Sequence, residues 1–311
     1  MAKRSWGPVV VGVDASPAAV DAVRMAWQLA QATGVSCRLV HATPEAWTVP
    51  TVPHSFSARP DAVNAATRQA ARTVVFDVLA GQVPDLLLTG LDVRTGRAAA
   101  VLRDAAAELD AELVVLGGKH HSLLGRWLVG STAHALVRSL DLPLLVTAHT
   151  PAPVSRIVVA VDLSDAAAPT LRAAERYAGA LGAELHVLHV VEPLPLVPDA
   201  PLHFNDEEVY ARSLEHLEQC VWPLVTASGA TTGIRRGVAL DVMASEVTER
   251  GAQLIVLGSH GKSWVDRILI GSVTEQALGA LPCSVLIVPV PRPPRRGRQR
   301  TVRRAGHGPV L

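Results

Sequence analysis

Val9-Val-Val-Gly-Val-Asp-Ala-Ser-Pro-Ala-Ala19 returns 148 residues later as Ile157-Val-Val-Ala-Val-Asp-Leu-Ser-Asp-Ala-Ala167, and the same offset carries Gly34 onto Gly182 and His41 onto His189. Further along, Ala111-Glu-Leu-Val-Val-Leu-Gly117 returns as Ala252-Gln-Leu-Ile-Val-Leu-Gly258, and Gly130-Ser131 as Gly271-Ser272, at an offset of 141. One unit is therefore written twice, and the second copy is shorter in its middle. The copies join near Thr150-Pro-Ala-Pro153, so the expected division is residues 1–150, residues 151–290 and a tail at 291–311.

Within each copy, short apolar runs alternate with longer amphipathic stretches, the pattern of βαβ units around a parallel sheet buried on both faces. The pattern predicts strands at 9–14, 36–42, 85–92, 112–117 and 142–147, with helices at 17–33, 62–80, 97–109 and 130–140. In the second copy it predicts strands at 156–162, 183–191, 230–236, 253–258 and 283–288, with helices at 166–181, 206–228, 238–250 and 271–280. The fold class is thus α/β, two tandem doubly wound domains, each with a five-stranded parallel sheet. Each carries a Pro-rich insertion after strand two, Thr43–Asp61 and Glu192–Asn205, long enough for a functional loop. In such sheets ligands lie outside the carboxyl ends of the strands, at the switch point of the winding, which directs attention to Asp14, His41, Gly117 and their twins.

At 311 residues the chain is long enough for a core in each copy. Its longest uncharged strand-like runs are far shorter than the ~20 residues a membrane-spanning helix needs, and the apolar run behind the N-terminus breaks at Asp14 before a signal-peptide core can form. A cytoplasmic protein is expected. Cys37, Cys220 and Cys283 lie far apart with no metal-ligand spacing, so neither a disulfide framework nor a zinc site is expected, and all three read as small buried fillers. The net charge of +1 hides an asymmetry, because seven arginines between Arg292 and Arg304 leave residues 1–290 at −6. The Pro/Arg/Gly tail has too little apolar content to fold, and the most it offers nucleic acid is a salt-sensitive, nonspecific contact.

The second copy reads Gly258-Ser-His-Gly261 and, nine residues on, Gly271-Ser272-Val273-Thr274. Glycines directly after a strand allow a turn with φ > 0 and close approach of the backbone to a ligand. Gly271-Ser272-Val273 opens a helix, whose free N–H groups favour phosphate oxygens. Ser272 and Thr274 add hydroxyls and Lys262 a charge, while Asp162 stands at the same sheet edge, placed to accept a ribose hydroxyl. The sequence has no GxxxxGK[ST] phosphate loop and no GxGxxG after strand one, which argues against a Walker site and a dinucleotide site.

Both copies resemble universal stress protein domains, whose hallmark is Gly-x2-Gly-x9-Gly-[Ser/Thr] after strand four together with an Asp at the end of strand one. Gly258-x2-Gly261-x9-Gly271-Ser272 matches in full, and the resemblance covers about residues 7–290. It implies a Rossmann-type fold of the adenine-nucleotide-hydrolase kind that binds ATP with Mg²⁺. The glycine motif would hold the phosphates, Asp162 the ribose, and backbone just past strand two the adenine. Carried onto this sequence, that names Ala160, Asp162, Val190, Gly258, Ser259, His260, Gly261, Lys262, Gly271, Ser272 and Val273. In the first copy it names Gly12, Asp14, Ala42, Gly117, Gly130, Ser131 and Thr132. There His120 takes the place of the middle glycine, so the backbone must adopt an unusual conformation or the turn must shift; Gly118 and Lys119 compensate in part.

The remaining constellations point elsewhere. Among His120, His121 and His134, the adjacent pair on a turn has no third metal ligand at known spacing, and His186 and His189, three apart on a strand, face opposite ways. Trp127 and Trp264 follow the two loops and read as packing residues rather than stacking platforms. No nucleophile elbow or Cys–base pair appears, so no catalytic residue is assigned. The resemblance implies a nucleotide-dependent regulator of stress response or growth arrest rather than an enzyme. The alternatives are a slow ATPase or phosphotransferase in which Asp162 or His260 orients a water, and an oligomerisation scaffold pairing through fifth-strand edges (Leu142–Thr147, Cys283–Val288). Pairing of the two copies through those strands, with further homo-oligomerisation, is expected.

Overall fold

The structure, a computed structural model, describes residues 6–45, 60–121, 126–128, 130–148, 153–193, 206–259, 271–280 and 282–290, with the backbone alone at 60, 119–121, 126–128 and 206. The first half runs β1 (Val9–Gly12), α1 (Pro17–Thr33), β2 (Cys37–Thr43), α2 (Pro60–Leu79), α3 (Asp85–Thr89), β3 (Asp92–Thr95), α4 (Ala98–Glu108), β4 (Leu113–Gly117), β5 (Lys119–His121), β6 (Arg126–Leu128), α5 (Ser131–Ser139) and β7 (Leu144–Thr147). The second half runs β8 (Arg156–Ala160), α6 (Ala167–Leu181), β9 (Glu184–Val191), α7 (Asp206–His216), β10 (Thr231–Arg236), α8 (Ala239–Arg250), β11 (Leu254–Gly258), α9 (Ser272–Ala280) and β12 (Ser284–Val288). Local chemistry explains the repeat at its strongest points: α1 and α6 each stop at a glycine, Gly34 (φ 73) and Gly182 (φ 63), in the left-handed conformation that lets the chain turn back into strand two.

Ten strands form one sheet in the order β10-β9-β8-β11-β12-β7-β4-β1-β2-β3. Within this sheet all pairings inside a half are parallel, and the halves meet at β7 and β12, which pair antiparallel. In that seam Leu145 lies opposite Leu286, its own counterpart in the repeat, while Val146 faces Val285 and Leu144 faces Ile287. A local twofold axis therefore passes between Leu145 and Leu286. Two core layers cover the sheet, and each continues across both halves. One holds Val23, Leu29 and Leu79 with Leu171, Tyr177 and Leu217. The other holds Leu102, Leu136 and Val137 with Met243, Val247 and Leu278. The expected pairing of the copies through their fifth strands is thus present inside the chain. Both edges of β7 and β12 are occupied, so no fifth-strand edge remains for another chain; among the described residues the outer strands are β3 and β10.

Three expectations need correction. Residues 85–89 form a helix, and the strand lies at Asp92–Thr95. Pro84 starts that helix, Leu87 and Leu88 turn inward while Leu86 is 74% exposed, and Gly90 closes it, so the Leu run follows helical rather than strand periodicity. The helix expected over 206–228 ends at His216, and a wide turn at Leu217–Val221 and a tight one at Trp222–Leu224 follow, the latter with Pro223 inside it. Of the cysteines only Cys283 is buried outright; Cys37 is half-buried and Cys220 exposed. Burial pushes the Cys37 and Cys283 thiols up to about 12, so both stay protonated and inert at neutral pH. Most of both Pro-rich insertions and the whole Arg-rich tail lie outside the described residues. Among the described residues no helix is long and apolar enough to cross a membrane.

Candidate functional site

Each half opens a cleft where its winding reverses, between strands one and four, as the topology requires. Asp14 and Asp162 stand just past β1 and β8. Each is fixed through Oδ1, which accepts from the backbone N–H of the serine two residues on (3.0 Å from Ser16, 3.1 Å from Ser164) and from its hydroxyl (2.5 and 2.6 Å). Across the cleft, α5 and α9 begin behind Gly130 and Gly271. No side chain caps α5 at Gly130, and Ala133 and Glu275 bond back to those two glycine carbonyls. The N–H groups of Ser131 and Thr132, and of Ser272 and Val273, precede the first bonded turn, where the helix dipole favours an anion.

The two clefts differ in size. That of the first half encloses about 170 Å³, and that of the second about 490 Å³. Small-molecule sites fall at roughly 300–1,000 Å³, a range that takes in the second volume and exceeds the first. The first is narrowed at Gly12, where Leu116 and Leu102 fill the space above the backbone so closely that a Cβ would stand 2.5 and 2.9 Å from their methyl carbons. In the second half Ala160 and Met243 take the places of Gly12 and Leu102, and α7 adds Val209 and Ser213 to the wall. That wall is apolar along Val161, Val190, Val191 and Met243, suited to the flat face of a base, and polar where Asp162 meets the α9 N-terminus.

Side-chain ties also distinguish the halves. Thr274 Oγ1 donates to the Gly258 carbonyl (2.8 Å), and Ser259 Oγ accepts from Val290 N–H (3.2 Å). Glu192 Oε1 accepts from Ala239 N–H at the start of α8 (3.0 Å). The corresponding residues of the first half are Ala133, Gly118 and Pro44, none of which can make these bonds. Three contacts thus brace the larger cleft alone. In the first half the segment after β4 folds into an antiparallel hairpin, β5 with β6, in which His120 lies opposite Trp127. The notional glycine position, His120, thus lies within β5 of this hairpin.

Comparison with known proteins completes this picture. The model of the universal stress protein family matches residues 5–148 and again residues 153–289. The chain belongs to the universal stress protein family. A universal stress protein of Mycobacterium tuberculosis is 26% identical over 329 aligned positions, covering 92% of this chain and 96% of that protein. One from Bacillus subtilis is 32% identical over 145 positions, covering 43% of this chain and 98% of the relative, the length of a single half. Among solved structures, a universal stress protein from Archaeoglobus fulgidus has a TM-score of 0.64 at 17% identity, covering 92% of this chain and 99% of that one, a likeness of fold. The family assignment fits the expectation of a protein that is not an enzyme.

Of the residues that the universal stress protein resemblance names, Gly12, Asp14, Ala42, Gly117, Gly130, Ser131 and Thr132 line the first cleft, and Ala160, Asp162, Val190, Gly258, Gly271, Ser272 and Val273 the second. Gly118 lies outside the first lining, its N–H bonded to Thr147 O (2.9 Å) as the ladder continues, and Lys119 begins the hairpin. Ser259 is buried and braces the β11 end rather than lining the cavity. His260, Gly261 and Lys262 lie outside the described residues, as does Trp264.

The role given to the strand-four glycines also changes. Gly117 and Gly258 end their strands and are not among the positive-φ glycines. At Gly117 the close neighbour is α1: a Cβ there would stand 2.4 Å from Ala18 O, so this glycine admits a helix rather than a ligand. Sequence reasoning did not single out Thr170, Glu192, Val209, Ser213 and Met243 of the larger wall. Apart from Glu192, directly after β9, they lie on helices, and no motif spacing marks them. Among the described residues no three His, Cys, Asp or Glu side chains gather as a metal site.

Proposed function

We propose that the second half binds an adenine nucleotide, ATP with Mg²⁺, and that the protein acts as a nucleotide-dependent regulator in the cytoplasm. The observation that carries this reading is the 490 Å³ cavity in which Asp162, Gly258 and the start of α9 converge. In this arrangement the α9 N–H groups and the Ser272 hydroxyl take phosphate oxygens, Asp162 takes a ribose hydroxyl, and the apolar wall around Val190 and Met243 takes the base. Mg²⁺ keeps several of its waters and is held in many sites largely through substrate phosphates, so it needs no preformed cage beside the α9 N-terminus. The role in stress response or growth arrest rests on family membership. Association between chains, where it occurs, uses surfaces other than the fifth strands.

Calorimetric titration with ATP and Mg²⁺ tests the reading. One site per chain, lost in Gly271→Glu or weakened tenfold or more in Asp162→Ala while the chain remains folded, is the expected result. Binding unaffected by either substitution would refute the placement. A phosphate-release assay on the same sample separates a binding protein from a slow ATPase, which would release phosphate in proportion to time.

A further inference from the structure

We infer that His189, with its twin His41, is the positioning residue that aims the strand-one aspartate into the cleft; the inference rests on the nucleotide reading above. His189 Nδ1 lies 2.8 Å from the carbonyl oxygen of Val161, and His41 Nδ1 lies 2.8 Å from that of Val13. A backbone carbonyl only accepts, so Nδ1 carries the hydrogen in both rings, whether the imidazole is neutral or protonated. The bonded carbonyl belongs to the residue immediately before the aspartate, and its oxygen lies in the peptide plane that leads into Asp162 or Asp14.

The other side of the same residue is held as well. Val161 N–H donates to Leu188 O (2.9 Å), and Val13 N–H to Val40 O (2.9 Å). Past the end of β8 and of β1, strand two therefore grips one residue twice, by its own backbone and then by its histidine. Asp162 is fixed from the far side through Ser164, and Asp14 through Ser16. With the peptide plane and Oδ1 both held, the direction of the carboxylate is set before any ligand arrives, and a ligand then binds without the entropic cost of ordering it. Both residues border the cleft yet are nearly buried, His189 5% and Val161 6% exposed, so a lost donor leaves the carbonyl largely cut off from solvent. The same bond recurs in both halves, whose clefts differ threefold in volume and are each bordered by the histidine.

Substitution at 189 separates positioning from packing. In His189→Asn the side-chain amide nitrogen stands as many bonds from the backbone as Nδ1 and can donate to the same carbonyl; His189→Leu fills the space and cannot. Calorimetric titration of the full chain with Mg²⁺–ATP is expected to give an affinity within about threefold of the parent for His189→Asn and a loss of about tenfold for His189→Leu, the scale of one buried hydrogen bond. The Asp162→Ala/His189→Leu double variant should bind no more weakly than Asp162→Ala alone. Fully additive losses, or a His189→Leu protein of lowered melting temperature and parental affinity, would reduce the histidine to a packing residue and overturn the inference. Absence of ATP binding by the parent would instead remove the nucleotide reading, and this inference with it.

Discussion

Thr274 Oγ1 donates to the carbonyl of Gly258 across 2.8 Å, joining the first turn of α9 to the end of β11 at the floor of the larger cleft. The first half has Ala133 at the corresponding place and cannot make the bond. Replacing Thr274 by Val keeps the shape and removes the donor. The expected cost is about 1 kcal/mol of stability, together with a several-fold loss of ATP affinity as the α9 N-terminus loosens. Denaturant unfolding and calorimetry on the same variant measure the two, and an unchanged affinity would show that the cradle is held without this bond.

The small cleft bears on stoichiometry. At about 170 Å³, with Leu102 and Leu116 over Gly12, it is below the range of nucleotide sites. Titration should therefore saturate at one ATP per chain, and Asp14→Ala should leave the affinity within twofold of the parent. Two equivalents, one of them abolished by Asp14→Ala, would show that the first cleft opens to admit a ligand.

Gly117 tests the role of the strand-four glycine in the first half. A methyl group there meets the backbone of α1 at Ala18, which cannot rotate away as a side-chain tip can. Gly117→Ala is expected to lower stability by about 3 kcal/mol, the upper end for overpacking, without altering ATP stoichiometry. Thermal unfolding with calorimetry decides it, and a neutral variant would mean that α1 has slack at its first turn.

A buried polar cluster away from both clefts is expected to contribute to the acid dependence of stability. His186 Nδ1 is 2.7 Å from Thr231 Oγ1 and its Nε2 is 3.2 Å from Glu246 Oε1, while Arg250 (2.5 Å) and Arg235 (3.3 Å) also reach Glu246. Burial, then Arg250 and Arg235, lower the His186 pKa to about 4 against the opposing pull of Glu246. The folded chain thus binds fewer protons than the unfolded one between about pH 4 and the ordinary histidine value of ~6.5. The contribution is whole above ~6.5 and is lost as pH falls toward 4, at a slope of up to about 1.4 kcal/mol per pH unit. Unfolding free energies measured across that window should fall more steeply for the parent than for His186→Leu; parallel curves would place the titration elsewhere.

The repeat made most of this architecture legible, because βαβ alternation and two copies of Val-Asp-x-Ser leave few ways to fold. The switch-point rule by itself places Asp14, Asp162 and the two glycine-led helices at clefts. The Asp85–Thr89 helix was hidden because three consecutive leucines satisfy strand and helix patterns alike, and only Pro84 and Gly90 mark the difference. Unequal clefts were half legible. His120 signalled trouble in the first loop, yet the narrowing comes from Leu102 and Leu116 folding over Gly12, a matter of side-chain direction that spacing does not encode. Val209, Ser213 and Met243 reach the larger wall from helices far apart in the chain, so only the tertiary fold brings them together.

The seam at Leu145 and Leu286 has one more consequence. Two separate subunits joined through such strands would part on dilution and would offer identical clefts. Here the linker keeps the partners at a local concentration of roughly millimolar order however scarce the protein becomes. On the nucleotide reading proposed above, the larger cleft would keep its neighbour, and so its shape, however much protein the cell makes, and the two clefts of one chain are free to diverge from each other in a way that identical subunits are not.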